Sequence, residues 1–109
     1  MKKFISNKED TLLKAMEVIN KNQHGVTFVV DINNKLCGVI TDGDIRRGLH
    51  DNKVIPEFSC IGSTSPICIL SNQSIINAKK KMTENKISSL VVIENNLPIG
   101  ILVLEDLIL

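Results

Sequence analysis

The sequence has no tryptophan, no tyrosine and only three phenylalanines among its 109 residues. It therefore lacks a set of aromatic side chains on which bases could stack, and a net charge of +1 gives it no basic surface, so nucleic-acid binding has little support. Hydrophobic residues still make up 43% of the chain, so its core must be aliphatic, built from Ile, Val and Leu. The length fits one compact domain.

No apolar run reaches the roughly 20 residues that span a bilayer, and MKKF is followed by the polar ISNKED rather than by the apolar part of a secretory signal. Cys37, Cys60 and Cys68 are odd in number and scattered, which argues against a disulfide framework and against a zinc site. No nucleophile beside a base and no metal cluster can be assembled. We therefore expect a non-catalytic, cytoplasmic chain that requires no cofactor and no metal.

The chain contains two diverged copies of one unit. At an offset of 63 residues, Asn22 matches Asn85. One residue is then lost from a turn, and Gly38 matches Gly100 at an offset of 62. Apolar positions agree more widely than identities do. This internal similarity predicts a repeated structural unit.

Each copy is predicted to contain a helix, two strands and a further helix, with an added short strand at the start of the second copy. Helical spacing of apolar residues marks the first helix, for which Asp10 and Thr11 are available as caps. Short apolar runs mark the strands, which are VTFVV, LCGVIT, ICIL, LVVI and PIGILV. Strands that are apolar on both faces need cover on both faces. The predicted fold class is α/β (α+β by some schemes): two pseudo-symmetric β-α-β-β-α repeats packed as one domain.

The repeats are predicted at residues 1–51 and 66–109, with a linker at 52–65. The last helix of the first repeat should run from about Asp44 to His50, whereas its counterpart begins at Glu105 and the sequence stops at Leu109. The final LIL would leave apolar residues on a short piece of helix. We therefore expect either a partner that covers it or a further segment after Leu109.

The segment GVITDGDIRR runs from the end of a strand into a helix. Unpaired N–H groups and the helix dipole make such a helix start suitable for an anion. Thr41 can donate its hydroxyl to a phosphate oxygen, Gly43 allows close approach of the backbone, and Asp44 can accept hydrogen bonds from a vicinal diol such as that of ribose. The alternative is that Thr41 and the acids only cap the helix. Arg46 and Arg47 are either solvated or contact a phosphate or a neighbouring subunit.

The pattern Gly-h-x-Ser/Thr-x-x-Asp-h, where h is apolar, follows both β-α-β-β units and resembles the CBS domain, the repeat of cystathionine β-synthase. GVITDGDI at 38–45 matches at every position, and GILVLEDL at 100–107 departs only at Val103, which replaces the Ser or Thr. The resemblance covers nearly the whole chain. It implies a regulatory module that dimerises and that binds an adenosine-type nucleotide such as AMP, ADP or ATP, or a related ligand, in clefts between the repeats.

The resemblance also implies which residues line the two clefts. The stronger site would comprise Val39, Thr41, Gly43, Asp44, Ser65, Pro66, Ile67, Ile87 and Ser89. The weaker second site would comprise Phe4, Ile5, His24, Val26 and Asp106. Because Val103 cannot donate a hydrogen bond to a phosphate, we expect at most one competent site per chain. A role in the core or in a loop alone stays open for the residues outside the two motifs.

TDGDIRRGL is similar to a version of the motif found in two settings, the N-terminal CBS pair of sugar-phosphate nucleotidyltransferases and the C-terminal pair of arabinose-5-phosphate isomerases. An apparent start methionine and the non-polar second motif favour the first setting. We therefore expect a regulatory part of a nucleotidyltransferase whose catalytic domain follows Leu109. The CBS pair of an isomerase-like enzyme, and an interaction module that dimerises without binding a ligand, remain as alternatives.

Overall fold

The computed structural model describes residues 1–50 and 66–107, with the side chains of 48–50 excepted. The chain divides into two compact units, one spanning Lys2–Pro66 and the other Ile67–Leu109 together with Met1. Each unit contains its own three-stranded sheet. Among the described residues, no helix has the length and apolar character needed to cross a bilayer.

The first unit has a parallel and an antiparallel strand pair around a buried central strand. Its elements are a 3₁₀ helix (Lys2–Phe4), β1 (Ile5–Asn7), α1 (Leu12–Asn22), β2 (Val26–Val30), β3 (Leu36–Thr41) and α2 (Asp42–His50). β2 pairs in parallel with β1 and antiparallel with β3. All five residues of β2 are buried, which explains why its sequence is almost uniformly apolar.

The second unit repeats this arrangement. Its elements are β4 (Cys68–Leu70), α3 (Ile75–Asn85), β5 (Ser89–Glu94), β6 (Leu97–Val103) and a 3₁₀ helix (Leu104–Leu107). β5 pairs in parallel with β4 and antiparallel with β6. Even the register shifts correspond, since they fall between Val29 and Val30 in one unit and between Val92 and Ile93 in the other. This mixed α/β arrangement, present twice, is the predicted fold class.

The short strand predicted at ICIL is the counterpart of β1, so both units begin with a strand as the β-α-β-β-α pattern predicts, although the sequence did not assign β1 to residues. β4 pairs with β5 as β1 pairs with β2. The sequence ISN did not mark β1 because it has a single apolar residue. Its Ser6 is buried through a hydrogen bond instead, with Ser6 Oγ 2.6 Å from Thr27 Oγ1.

The first helix of each unit begins and ends in the same way. The hydroxyl oxygens of Thr11 and Ser74 each accept a hydrogen bond from a backbone N–H of the first turn. Gln23 and Lys86 close the two helices in the left-handed conformation, with φ of 60° and 55°. Of the two predicted caps, Thr11 is therefore the one used by α1. The carboxylate of Asp10 accepts a hydrogen bond from the end of β1 instead.

Each unit has its own aliphatic core between the first helix and the sheet. The buried core cluster of the first unit consists of Ala15, Ile19, Val29 and Ile40. That of the second unit consists of Ile69, Ala78, Met82 and Leu90. Ala15 and Ala78 occupy equivalent positions and are at most 1% exposed, so a small side chain brings each helix close to its sheet. The predicted aliphatic core is confirmed, although Phe4 and Phe28 are buried as well.

Candidate functional site

Thr41 at the end of β3 and Asp44 in the first turn of α2 exchange hydrogen bonds. Thr41 Oγ1 accepts a hydrogen bond from Asp44 N at 3.2 Å, and Asp44 Oδ2 accepts one from Thr41 N at 2.9 Å. This is a capping box with Asp in place of the usual Glu or Gln. The capping role that the sequence left open is therefore present.

Capping leaves both side chains with further hydrogen-bonding capacity. The hydroxyl of Thr41 acts as an acceptor in the cap, which leaves its own proton for donation. An ionised carboxylate has about four lone-pair sites, and the cap uses one of those on Asp44. The side chain of Asp44 is 20% exposed. The cap thus orients a hydroxyl donor and a carboxylate acceptor that can still contact a phosphate oxygen and a diol.

Arg47 folds back over the first turn of α2. Its Nη2 donates to Asp44 Oδ1 at 2.6 Å, in an ion pair whose arginine side chain is 69% exposed. The missing side chain of Gly43 makes room for it, because a Cβ there would lie 3.1 Å from Arg47 Nη1. The guanidinium therefore takes the space above Gly43 that we expected a ligand to approach. Sequence reasoning did not anticipate this pair, although the spacing of three between an acid and an arginine on a helix is a signal for it.

Gly25 contacts the first residue of α2 and fixes the position of the helix start. Asp42 N donates to Gly25 O at 2.9 Å, and Gly25 has a φ of +70° with its Cβ position 3.1 Å from Asp42 Oδ2. A side chain at position 25 would be strained and crowded. In the second unit, Leu104 N donates to Ser88 O at 2.8 Å in the same way. This backbone contact belongs to the repeated fold rather than to a ligand site.

In each unit, one hydroxyl-bearing residue lies at the end of the antiparallel strand pair next to the motif. The two units carry it on different strands of that pair. In the first unit Thr41 of β3 lies opposite Val26, and in the second unit Ser89 of β5 lies opposite Val103. Ser89 is 7% exposed, and its buried Oγ has no hydrogen-bond partner among the described residues. A buried hydroxyl left unpaired costs about 1–3 kcal/mol. Within the part of the chain that the structure describes, nothing supplies this hydrogen bond to Ser89.

The other described residues expected at the stronger site lie in strands, next to strands or against the core. Ile67 and Ile87 are half-buried and pack against the core of the second unit. Pro66 precedes β4 and Val39 lies within β3, and both are half-buried. Ser65 lies outside the described residues. A core role is thus present for the two isoleucines, and a ligand role for this set stays a prediction.

Most residues expected at the weaker site lie in the first unit. The ring of Phe4 stacks on the ring of His24 with centroids 5.5 Å apart, and Ile5 and Val26 are on neighbouring elements. Phe4 is 4% exposed and His24 is half-buried, so the stack lies at the edge of the packed interior. Asp106 is exposed within the 3₁₀ helix Leu104–Leu107. The structure brings Phe4 and His24 together and provides no hydroxyl at Val103.

Asn22 holds together the segment beside that stack, a role that sequence reasoning missed. Its Nδ2 donates to Lys3 O at 3.0 Å and to Val26 O at 2.8 Å, while its Oδ1 accepts from His24 N at 2.8 Å. The residue is 5% exposed. In the sequence, Asn22 marked only the end of a helix, because its partners are backbone groups that only the folded chain brings near.

An open groove of about 580 Å³ lies on the first unit between α1 and the start of α2. Leu13, Met16 and Ile45 contribute its apolar part, and Asp42 lies at its polar edge. Neither Thr41 nor Asp44 lines the groove. The groove therefore borders the motif through Asp42 and Ile45 but does not include the Thr41–Asp44 pair.

The Cys37 thiol is not activated as a nucleophile. Burial, reinforced by the charge of Asp31 and opposed by Lys8, raises the pKa of the Cys37 thiol, which is therefore protonated at neutral pH. Cys37 and Cys68 are free and half-buried, and Cys60 lies outside the described residues. Within the described ranges, no three His, Cys, Asp or Glu side chains come together to hold a metal ion.

Comparison with known proteins gives consistent matches to one family. The profile of the CBS domain matches residues 5–51 and 59–109. Arabinose 5-phosphate isomerase KdsD of Francisella tularensis is 34% identical over 105 residues, which cover 91% of this chain and 31% of that protein. The chain spans about a third of the length of the curated relatives that it matches first.

Two solved structures have the same fold over nearly the whole chain. CBS domain protein PAE2072 from Pyrobaculum aerophilum, complexed with AMP, has a TM-score of 0.80 at 22% identity and covers 94% of this chain and 80% of its own. The CBS domain pair of protein MJ0100, complexed with 5′-methylthioadenosine and S-adenosyl-L-methionine, has a TM-score of 0.80 at 23% identity, with 94% and 86% covered. At these identities the likeness shows the fold.

Proposed function

The chain belongs to the CBS domain family and carries the domain twice, and on this premise we propose that it is a regulatory module that binds an adenosine-type nucleotide or a related ligand. Structural neighbours complexed with AMP, or with 5′-methylthioadenosine and S-adenosyl-L-methionine, support this ligand class. The observation that carries the proposal is the capped motif, in which Thr41 and Asp44 orient each other and keep capacity for a phosphate oxygen and a ribose diol. We propose no catalytic role for the chain.

The first motif is better equipped for this role than the second. Thr41 supplies a hydroxyl at the start of a nine-residue helix, whereas Val103 supplies none before a 3₁₀ helix of four residues. We therefore propose one ligand site per chain, served by Thr41 and Asp44.

We also propose that the bound nucleotide regulates an enzyme that acts on sugar phosphates. The narrower motif similarity favours a nucleotidyltransferase, while the curated relatives, which include KdsD, favour an arabinose-5-phosphate isomerase. Both enzymes use sugar-phosphate substrates. The coding sequence on both sides of this chain distinguishes them: an isomerase domain would precede it, and a nucleotidyltransferase domain would follow. The presence of neither domain would contradict this part of the proposal.

The resemblance implies a homodimer, and we retain it as a proposal. Leu13 on α1 and its counterpart Ile76 on α3 are 66% and 78% exposed. The two repeats thus expose a large apolar side chain at the same position, and we propose that a second copy of the chain covers them. The alternative function, an interaction module without a ligand, is favoured by the same exposure and by the missing hydroxyl at Val103.

Titration with nucleotides separates the two functions. AMP, ADP, ATP, CMP and S-adenosylmethionine are added to the 109-residue chain, and binding is measured by calorimetry and by dye-detected thermal unfolding. A ligand at 100 times its dissociation constant should add about 2.7 kcal/mol of stability. Asp44→Ala should abolish this gain, because the diol acceptor is lost.

Asp42→Ala is the matched control, because Asp42 is an exposed acid in the same turn but outside the polar pair. It should bind as the wild type does. Asp44→Asn keeps an acceptor for Thr41 N, so it tests the site with less disturbance of the cap. If no ligand stabilises the chain at millimolar concentration, or if Asp44→Ala leaves the gain unchanged, only the interaction function remains.

A further inference from the structure

The side chain of Arg47 places a positive charge at the N-terminal end of α2, where the backbone disfavours positive charge. α2 begins at Asp42, and the partial positive charge of a helix N-terminus stabilises anions and repels cations. The guanidinium nevertheless reaches back to the first turn and lies 2.6 Å from Asp44 Oδ1. Two features allow this position: the ion pair itself and the absence of a side chain at Gly43.

The ion pair competes with the hydroxyl groups that a nucleoside would offer to Asp44. Oδ2 already accepts from Thr41 N, and Oδ1 accepts from Arg47. A ribose diol must therefore share or displace the guanidinium. Losing this pair reduces the affinity that a nucleoside gains from Asp44, although only modestly, because the arginine side chain is 69% exposed. A phosphorylated ligand can compensate, because its phosphate accepts the displaced guanidinium in a bidentate pair.

We propose, resting on the proposed function, that Arg47 determines specificity by making the site select phosphorylated nucleotides over ligands without a phosphate. On binding, Arg47 leaves Asp44 Oδ1 and pairs with the phosphate beside Thr41. Only the first repeat can form this arrangement, because Glu105 and Leu109 stand in the second copy where the first has Gly43 and Arg47. Adenosine, 5′-methylthioadenosine and S-adenosylmethionine, which carry no phosphate, should therefore bind more weakly than AMP.

The test compares AMP and adenosine by calorimetry on the wild type, Arg47→Gln and Arg46→Gln at physiological ionic strength. Arg46 is an exposed neighbour, so its variant removes the same charge without touching Asp44. Arg47→Gln should lower the ratio of AMP affinity to adenosine affinity about tenfold, which corresponds to roughly 1.4 kcal/mol. The loss should come from weaker AMP binding, with adenosine unchanged or tighter. Arg46→Gln should change the ratio less than about twofold, because exposed charges are screened by salt.

Arg47→Lys provides a second variant, which keeps the charge but loses the planar fork, and should fall between the wild type and Arg47→Gln. Equal affinity of the wild type for AMP and adenosine, or an unchanged ratio in Arg47→Gln, would overturn the role of Arg47 while nucleotide binding stands. The same loss in Arg46→Gln would show general attraction of charge and also overturn it. Binding of neither ligand by the wild type would remove the proposed function and this inference together.

Discussion

Asn22 and Asn85 are identical residues at equivalent positions with different roles. Asn22 is 5% exposed and makes three hydrogen bonds to backbone groups. Asn85 is exposed, and its Nδ2 donates to the carbonyl of the preceding turn of its own helix. The identity that helped to reveal the repeat therefore says nothing about the energetic importance of either residue.

Alanine substitution should separate the two asparagines. Asn22→Ala should lower the free energy of unfolding by about 2–3 kcal/mol, because it leaves the buried carbonyl of Val26 and two part-buried backbone groups without partners. Asn85→Ala should change it by less than about 0.5 kcal/mol, as is usual at a surface position. Urea denaturation followed by far-UV circular dichroism measures both, which suits a chain without Trp or Tyr. Equal losses in the two variants would contradict the assignment.

Thr41 and Asp44 show how far a site can be predicted residue by residue. The motif identified both side chains and both of their possible roles, since cap formation and anion binding depend on the same residue types at the same spacing. Arg47 was not predicted as part of the motif, because its place depends on the side chain bending back toward the first turn over Gly43. The orphaned hydroxyl of Ser89 was not predictable either, since the burial of Oγ arises only in the folded chain.

At the scale of elements, the residue that ends α3 has a backbone conformation that its residue type does not favour. Lys86 closes α3 with φ of 55°, a conformation that glycine adopts without the steric cost paid by other residues. Its backbone N–H donates to the carbonyls of Met82 and Thr83, so the geometry of the end is well formed. The fold therefore imposes a left-handed residue where the sequence supplies a lysine.

Replacement of lysine by glycine should change the free energy of unfolding in opposite directions at the end and in the middle of α3. Lys86→Gly should raise the free energy of unfolding by up to about 1 kcal/mol, because glycine relieves the left-handed strain. Lys80→Gly, at an exposed interior position, should lower it by about 1 kcal/mol. Thermal unfolding followed at 222 nm tests both variants against the wild type. A loss of stability in Lys86→Gly would show that the terminal lysine contributes contacts that outweigh the strain.

Elements with strong patterns were predicted well, and weak ones were not. VTFVV and LCGVIT coincide with β2 and β3, because an unbroken apolar run bounded by turn residues has few alternatives in a small domain. β1 was not assigned to residues, because a strand of three residues with a polar residue at its centre shows no alternation of apolar and polar side chains. The last described helix, Leu104–Leu107, is a 3₁₀ helix that begins one residue before Glu105, close to the expected start.

At the scale of the whole molecule, the proposed homodimer can be tested by mutation. If a second copy covers Leu13 or Ile76, a charge at either position should weaken the dimer, because the charge would have to be buried in an apolar contact. Leu13→Glu and Ile76→Glu should therefore shift the mass from about twice 12.1 kDa toward that of one chain. Lys14→Glu is the control, since it changes a neighbouring exposed residue that is already charged. Sedimentation equilibrium measures the mass, and a wild-type chain that is monomeric at all concentrations would contradict the dimer.

The sequence by itself determined the repeat, the mixed α/β class, the aliphatic cores and the two residues of the first motif, because periodicity, turn chemistry and capping act over short stretches of chain. Only the tertiary structure decided that Asn22 ties three backbone groups together, that ISN forms a strand and that Arg47 lies on Asp44. These features depend on which groups become neighbours and which lose access to water. Short-range patterns do not show which distant groups become neighbours, although the spacing of Asp44 and Arg47 was a signal for their ion pair.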